Sequence, residues 1–114
     1  MNNKQTGQNG ENLACEYLTK QGYKILERNV RFSRECELDI IALDKNTLVA
    51  VEVKTRKSAS LGSPLEAVTK TKLQNIRKGL LYYLSENNQY KSYRIDVVSI
   101  VLTPKTEIQH LKNL

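Results

Sequence analysis

Two apolar runs separated by a short turn constrain this chain more than any other feature of its sequence. "CELDIIAL" (residues 36–43) and "LVAVEVK" (48–54) flank "DKNT", and strand-length β-branched runs around turn residues predict an antiparallel hairpin. Val49, Val51 and Val53 alternate onto one face of the second run, so Glu52 and Lys54 share the other. A hairpin turning about Lys45-Asn46 places Asp39 opposite Glu52 and Glu37 opposite Lys54. Carboxylates facing each other across strands repel and normally weaken a sheet. Their face also carries Ile41, Leu48 and Ala50, so it is not a simple wet surface. Relief can come from shared protonation, from Lys54 alone, or from a bound divalent cation. Hard oxygen ligands at this spacing suit Mg²⁺ or Mn²⁺.

Helices are needed to cover such a hairpin, and the flanking sequence supplies them. Leu13, Ala14, Tyr17 and Leu18 make one helical stripe, and Gly22 is placed to end that helix as a left-handed cap. "YKILERNV" reads as a first strand, "SRE" as a loop, and "TRKSASLGSP" as a polar loop after the third strand. From Leu65 to about Ser85 the period is helical again, with Val68, Leu73, Ile76, Leu80 and Leu84 on one face. "YRIDVVSIVL" is a fourth strand ended by Pro104, and "TEIQHL" a short last one. The order α-β-β-β-α-β-β predicts a single α/β domain over residues 1–114, with a central mixed sheet flanked by helices. Tyr17, Tyr82 and Tyr83 are expected to pack within their helices and Cys15 to lie in the core. His110 has no acidic or Cys partner nearby in the sequence and is expected at the surface.

At 114 residues the chain is long enough for one core without staples. No run of about 18 apolar residues could span a bilayer, and "MNNKQTGQNGEN" lacks the apolar centre of a secretory signal. Cys15 and Cys36 make neither a disulfide framework nor a zinc motif. A cytoplasmic location with reduced thiols and no membrane partner is expected. The net charge of +6 is localised: residues 54–78 carry Lys54, Arg56, Lys57, Lys70, Lys72, Arg77 and Lys78 against Glu66 alone, and the rest is balanced. Such a field draws a polyanion, nucleic acid above all.

These elements fit phosphodiester hydrolysis. A cation held by Asp39 and Glu52 supplies Lewis acidity and an activated water, and Lys54 can orient or deprotonate that water and offset developing charge. The basic loop and helix that follow would hold flanking phosphates. The competing expectation is an exposed Glu52–Lys54 ion pair, worth about 0–1 kcal/mol.

Asp39 followed by Glu52-Val53-Lys54 after a hairpin resembles the core of the PD-(D/E)XK nucleases. "GQNGENLACEYLTKQGYKILERNVR", "ELDIIAL", "VAVEVKTR", "GSPLEAVTKTK" and "YRIDVVSI" together resemble the bacterial YraN family, small predicted endonuclease-like proteins similar to archaeal Holliday-junction resolvases. The resemblance covers about residues 7–101. It implies a restriction-endonuclease-like fold, metal ligation by Asp39 and Glu52, and a catalytic role for Lys54. Glu11, in the Gly7-x-x-Gly10-Glu11 motif, matches the acidic residue such nucleases place beside the metal, although a Glu in a helix's first turn also suits the helix dipole. Glu37 matches the acidic residue before the Asp and is implied as a supporting partner. Arg56 and Lys72 match basic positions that contact phosphate, and Asp96 is expected to pair with a neighbouring Arg. Leu38 stands where the superfamily has Pro, and Cys36 where the family often has Gly. The implied activity is Mg²⁺-dependent cleavage of branched or structured DNA by a possible homodimer. The alternative is a nucleic-acid-binding module of the same fold without turnover.

Overall fold

The computed structural model describes residues 2–58, 66 and 68–114. In chain order the elements are α1 (Asn3–Lys20), β1 (Lys24–Arg31), β2 (Glu37–Asp44), β3 (Thr47–Ser58), α2 (Lys70–Glu86), β4 (Ser92–Thr103) and β5 (Glu107–Leu111). This is the expected order, and it forms one five-stranded sheet, β1-β2-β3-β4-β5, flanked by two helices. The arrangement is compatible with a restriction-endonuclease-like core. Three strand pairs are antiparallel, and β3 with β4, joined through α2, is parallel. Among the described residues no helix is long and apolar enough to cross a membrane.

Local chemistry sets the ends of the helices. The Asn2 side chain accepts from the Gln5 N–H while the Gln5 side chain accepts from the Asn2 N–H, a reciprocal cap that starts α1. α1 ends where Gly22 takes a φ of 94°, with the Gly22 and Tyr23 N–H groups returning to Thr19 and Leu18. Because α1 starts at Asn3, Glu11 lies in its middle rather than its first turn, so the dipole does not explain it. Thr69 caps α2 by accepting from the Lys72 N–H, so this helix starts at Lys70, later than its apolar period suggested. β3 runs on to Ser58, through the first residues of the expected loop, and the rest of that loop, with Gly62 and Pro64, lies outside the described residues.

The β2–β3 hairpin has the register expected from its turn: Asp44 pairs with Thr47 and the ladder runs back to Ile40 opposite Val51. Lys45 absorbs the turn at a φ of 55°. Both faces of the hairpin are buried. Ala14 and Leu18 of α1 pack on Ile40, Ala42, Val49, Val51, Val98 and Ile100. Ile76, Leu80 and Tyr83 of α2 pack on Leu38, Ile41, Leu48, Ala50 and Ile95. The strand alternation therefore separates two cores, not core from solvent. Cys15 and Tyr17 are half-buried against the first core and Tyr83 is buried in the second, as expected. Tyr82 is not packed in: it is 60% exposed.

His110 corrects the expectation of a surface position. Its side chain is almost fully buried, with Nε2 2.8 Å from Asp96 Oδ2 and Nδ1 3.1 Å from the Tyr17 hydroxyl. Asp96 is fully buried and accepts from Tyr23 Oη (3.0 Å), Arg94 Nε (3.0 Å) and the Asn113 N–H (3.1 Å) as well. Arg94 in turn reaches Asp44 at 2.9 Å. Burial works against the Asp96 charge, but these donors prevail and hold its carboxyl below the usual carboxylate range. The expected Asp96–Arg pairing is present, within a larger network.

Candidate active site

The β2–β3 ladder ends at Ile40 and Val51, and one residue beyond it stand Asp39 and Glu52. β3 stays paired with β4 past this point, while β2 turns away. Leu38 packs under α2 and Ile40 under α1, although residues two apart on a regular strand share a face, so β2 changes face through Asp39. Asn29, where β1 passes this region, has a left-handed φ of 54°. The Val53 N–H donates to Asp39 Oδ2 at 2.9 Å, which fixes the carboxyl beside β3.

Around this splay lies a cleft of about 420 Å³, lined by α1 (Thr6, Gly7, Glu11), β2 (Asp39), β3 (Glu52 to Arg56) and α2 (Lys72). Gly10 lets α1 form its wall. A Cβ there would fall 1.8 Å from Thr55 Oγ1, so only glycine permits the helix to approach β3 this closely. The acidic floor (Glu11, Asp39, Glu52) and the basic rim (Lys54, Arg56, Lys72) are assembled from four elements, with β3 contributing to both.

Glu52 is 2% exposed, and its Oε2 lies 3.2 Å from Lys54 Nζ and 3.4 Å from Lys72 Nζ. The expectation of an exposed Glu52–Lys54 pair does not hold, because the carboxylate is buried. Its other oxygen, Oε1, is buried with no hydrogen-bond partner, an arrangement that costs about 1–3 kcal/mol or more for a charged group. Asp39 beside it is a second carboxyl, which only accepts when it is ionised. Burial first, then the Glu52 charge, push the Asp39 carboxyl up to about 8, against the lowering effect of the Val53 N–H, and a hydrogen bond shared with Glu52 and then the Glu11 charge add to the rise. The site thus concentrates carboxylates with too few donors, the condition that a proton or a cation relieves. Among the described residues no group of three or more His, Cys, Asp or Glu is placed to hold a metal ion. A cation on the Asp39–Glu52 pair would complete its shell with water or substrate oxygens, as Mg²⁺ does. The orphaned Glu52 oxygen and the hard donor set fit such an ion.

The structure brings together Glu11, Asp39, Glu52, Lys54, Arg56 and Lys72. Glu11 also faces Arg28 at 3.6 Å. It does not bring Glu37 there: that side chain, 35% exposed, pairs with Arg31 on the neighbouring strand. Glu37 is not opposite Lys54 either, since the strands part first and Lys54 stands in register with Ser99 of β4. The other basic residues spread out. Lys57 is exposed near the end of β3, Lys70 and Arg77 line a separate groove with Leu73, Gln74, Ile95 and Leu114, and Lys78 borders an apolar patch. Sequence reasoning missed Thr6 and Thr55, whose only signal was the Gly7/Gly10 spacing that brings α1 down onto β3.

Comparison with known proteins agrees with this whole-chain organisation. Residues 10–100 match the profile of Uncharacterised protein family UPF0102. A UPF0102 protein of Trichlorobacter lovleyi is 45% identical over 97% of this chain and 90% of its own length. One of Syntrophomonas wolfei is 44% identical over 97% of both chains. Another, of Nocardia farcinica, is 46% identical over 93% of this chain and 85% of its own. The matches take in α1, the splayed hairpin and α2 alike, and the chain belongs to the UPF0102 family.

Proposed function

We propose that this chain is a nucleic-acid-binding endonuclease of the PD-(D/E)XK type, similar to the YraN proteins, that hydrolyses phosphodiester bonds in structured or branched DNA. The observation that carries the proposal is the buried Glu52 with its orphaned Oε1 beside Asp39, under two lysines in an open cleft. Asp39 and Glu52 would hold Mg²⁺ or Mn²⁺, which when bound supplies Lewis acidity and an activated water. Lys54, anchored on Glu52, would orient the attacking water and offset the negative charge that grows on the phosphate. Lys72 and Arg56 meet phosphate oxygens at the rim, and Glu11 closes the acidic side of the cleft. Nicking both strands of a junction would need two such sites, so a homodimer accompanies this reading. A cytoplasmic location suits it.

The test is incubation of the protein with linear, nicked and four-way-junction DNA, with and without Mg²⁺ or Mn²⁺. Cation-dependent cleavage is expected, lost in Lys54→Ala and in Glu52→Gln. Cleavage that persists in Lys54→Ala would overturn the mechanism. DNA binding that survives Glu52→Ala, with no nicking by the intact protein, would instead assign a binding module.

A further inference from the structure

The second half of α2 carries an apolar patch that the cleft does not use. Lys78, Leu81, Tyr82 and Ser85 line it, with Leu81 46% and Tyr82 60% exposed. The Tyr82 ring stacks on Phe32, centroids 5.8 Å apart and planes within 13° of parallel. At that distance the near-parallel rings are offset, so Phe32 meets part of the Tyr82 ring and biases its orientation while most of the residue stays open to solvent. An exposed, oriented aromatic ring is what an unpaired nucleobase stacks on.

The charge around the patch selects the occupant. α2 carries Lys70, Lys72, Arg77 and Lys78 against Glu86 alone. Lys78 precedes Tyr82 by four positions and so shares its helix face, where an ammonium can meet the phosphate next to a stacked base. A two-fold contact between copies of this chain centred here would bring Lys78 of each copy against the other's basic face, a repulsive arrangement. Tyr82 follows Lys72 by ten residues, roughly 15 Å along the helix at 1.5 Å per residue. A strand engaged at the cleft would run along α2 and part of the way round it, from the Lys72 side to the Lys78 side, to reach the ring.

We infer that Tyr82, backed by Phe32 and flanked by Lys78, is a stacking platform for an unpaired base of the bound nucleic acid. The inference rests on the nucleic-acid reading above and specifies that reading: the preferred ligand has single-stranded character next to the cleft. The experiment uses the full chain as wild type, Tyr82→Ala and Tyr82→Phe. The probes are a blunt duplex and the same duplex with a short single-stranded flap carrying 2-aminopurine. Tyr82→Ala is expected to weaken flap binding about tenfold, to abolish the 2-aminopurine quenching seen with wild type, and to leave blunt-duplex binding within about twofold. Tyr82→Phe should retain both signals. Loss of the Phe32 contact should lower the thermal midpoint of Tyr82→Ala by only a few degrees, so the variant stays folded in the binding assay. Equal effects on both probes, or unchanged quenching in Tyr82→Ala, would overturn the platform while leaving the nucleic-acid reading in place. Failure of wild type to bind either probe would overturn both. A concentration-dependent dimer in sedimentation that Tyr82→Ala abolishes would assign the patch to a second copy and overturn the inference.

Discussion

The molecule buries carboxylates in two places and treats them in opposite ways. On the α1 side, Asp96 is surrounded by Tyr23, Arg94, His110 and the Asn113 N–H, so that its charge is matched by donors. In the cleft, Glu52 keeps an unpartnered oxygen and Asp39 receives one backbone N–H while facing other carboxylates. The register sets Asp96 beside Val51, so a single residue step along β3 separates the two environments, on opposite faces of one sheet. Asp96 is held below the usual carboxylate range and Asp39 is pushed up to about 8. A carboxylate kept for stability is saturated with donors, whereas one kept short of donors is poised to take a ligand.

The contrast can be broken most forcefully at Asp96. Asp96→Ala leaves Arg94, His110 and Tyr23 without their shared acceptor and should cost about 3–5 kcal/mol in a denaturant titration. A cost below about 1 kcal/mol would remove the distinction between the two sites. Asp39→Asn should act in the opposite sense. The folded Asp39 holds its proton up to about pH 8, whereas the unfolded one releases it near 3.8. The folded state therefore binds the extra proton between those values, and wild-type stability falls as pH rises through that window. The amide removes that fall and should raise stability at pH 8 by about 1 kcal/mol, while abolishing cation binding measured by calorimetry. Asp96, with its lowered value, contributes stability at neutral pH that is lost as pH falls below about 4. Opposite pH slopes for Asp39→Asn and Asp96→Asn would sharpen the comparison, and parallel slopes would defeat it. The smallest effect is expected at Glu37. Its exposed pairing with Arg31 is screened, so Glu37→Ala should cost less than about 1 kcal/mol and leave any cleavage rate unchanged.

Strand period and turn spacing made the centre of the fold legible. A two-residue turn at Lys45-Asn46 fixes which residues face each other, and that placed Asp39 by Glu52 without any long-range knowledge. Counting failed where the ladder ends. Glu37 and Lys54 share the same arithmetic, but β2 leaves β3 first and Glu37 answers to Arg31 on the other side. The burial of His110 is not legible in local sequence, because its partners, Asp96 and Tyr17, come from a strand and a helix that only the fold brings together. Tyr82 fits the helical period of its neighbours only loosely, and its ring partner, Phe32, lies fifty residues earlier in the chain. The basic stretch was legible as charge, not as a surface, because helix geometry turns Lys72 into the cleft and Lys70, Arg77 and Lys78 away from it.

Among the described residues, β3 and β4 form the sheet's parallel pair, and α2 makes the crossing between them. Parallel pairing needs a long connection to close before any contact is gained, so it belongs to the late, non-local part of folding. Lys72 rides on that connection, while Glu52 and Asp39 belong to a local hairpin that can close early. A half-folded chain would thus have the acidic pair and Lys54 but lack Lys72, the second ammonium over Glu52. The pair of ammonium groups over Glu52 is therefore complete only once the crossover has closed.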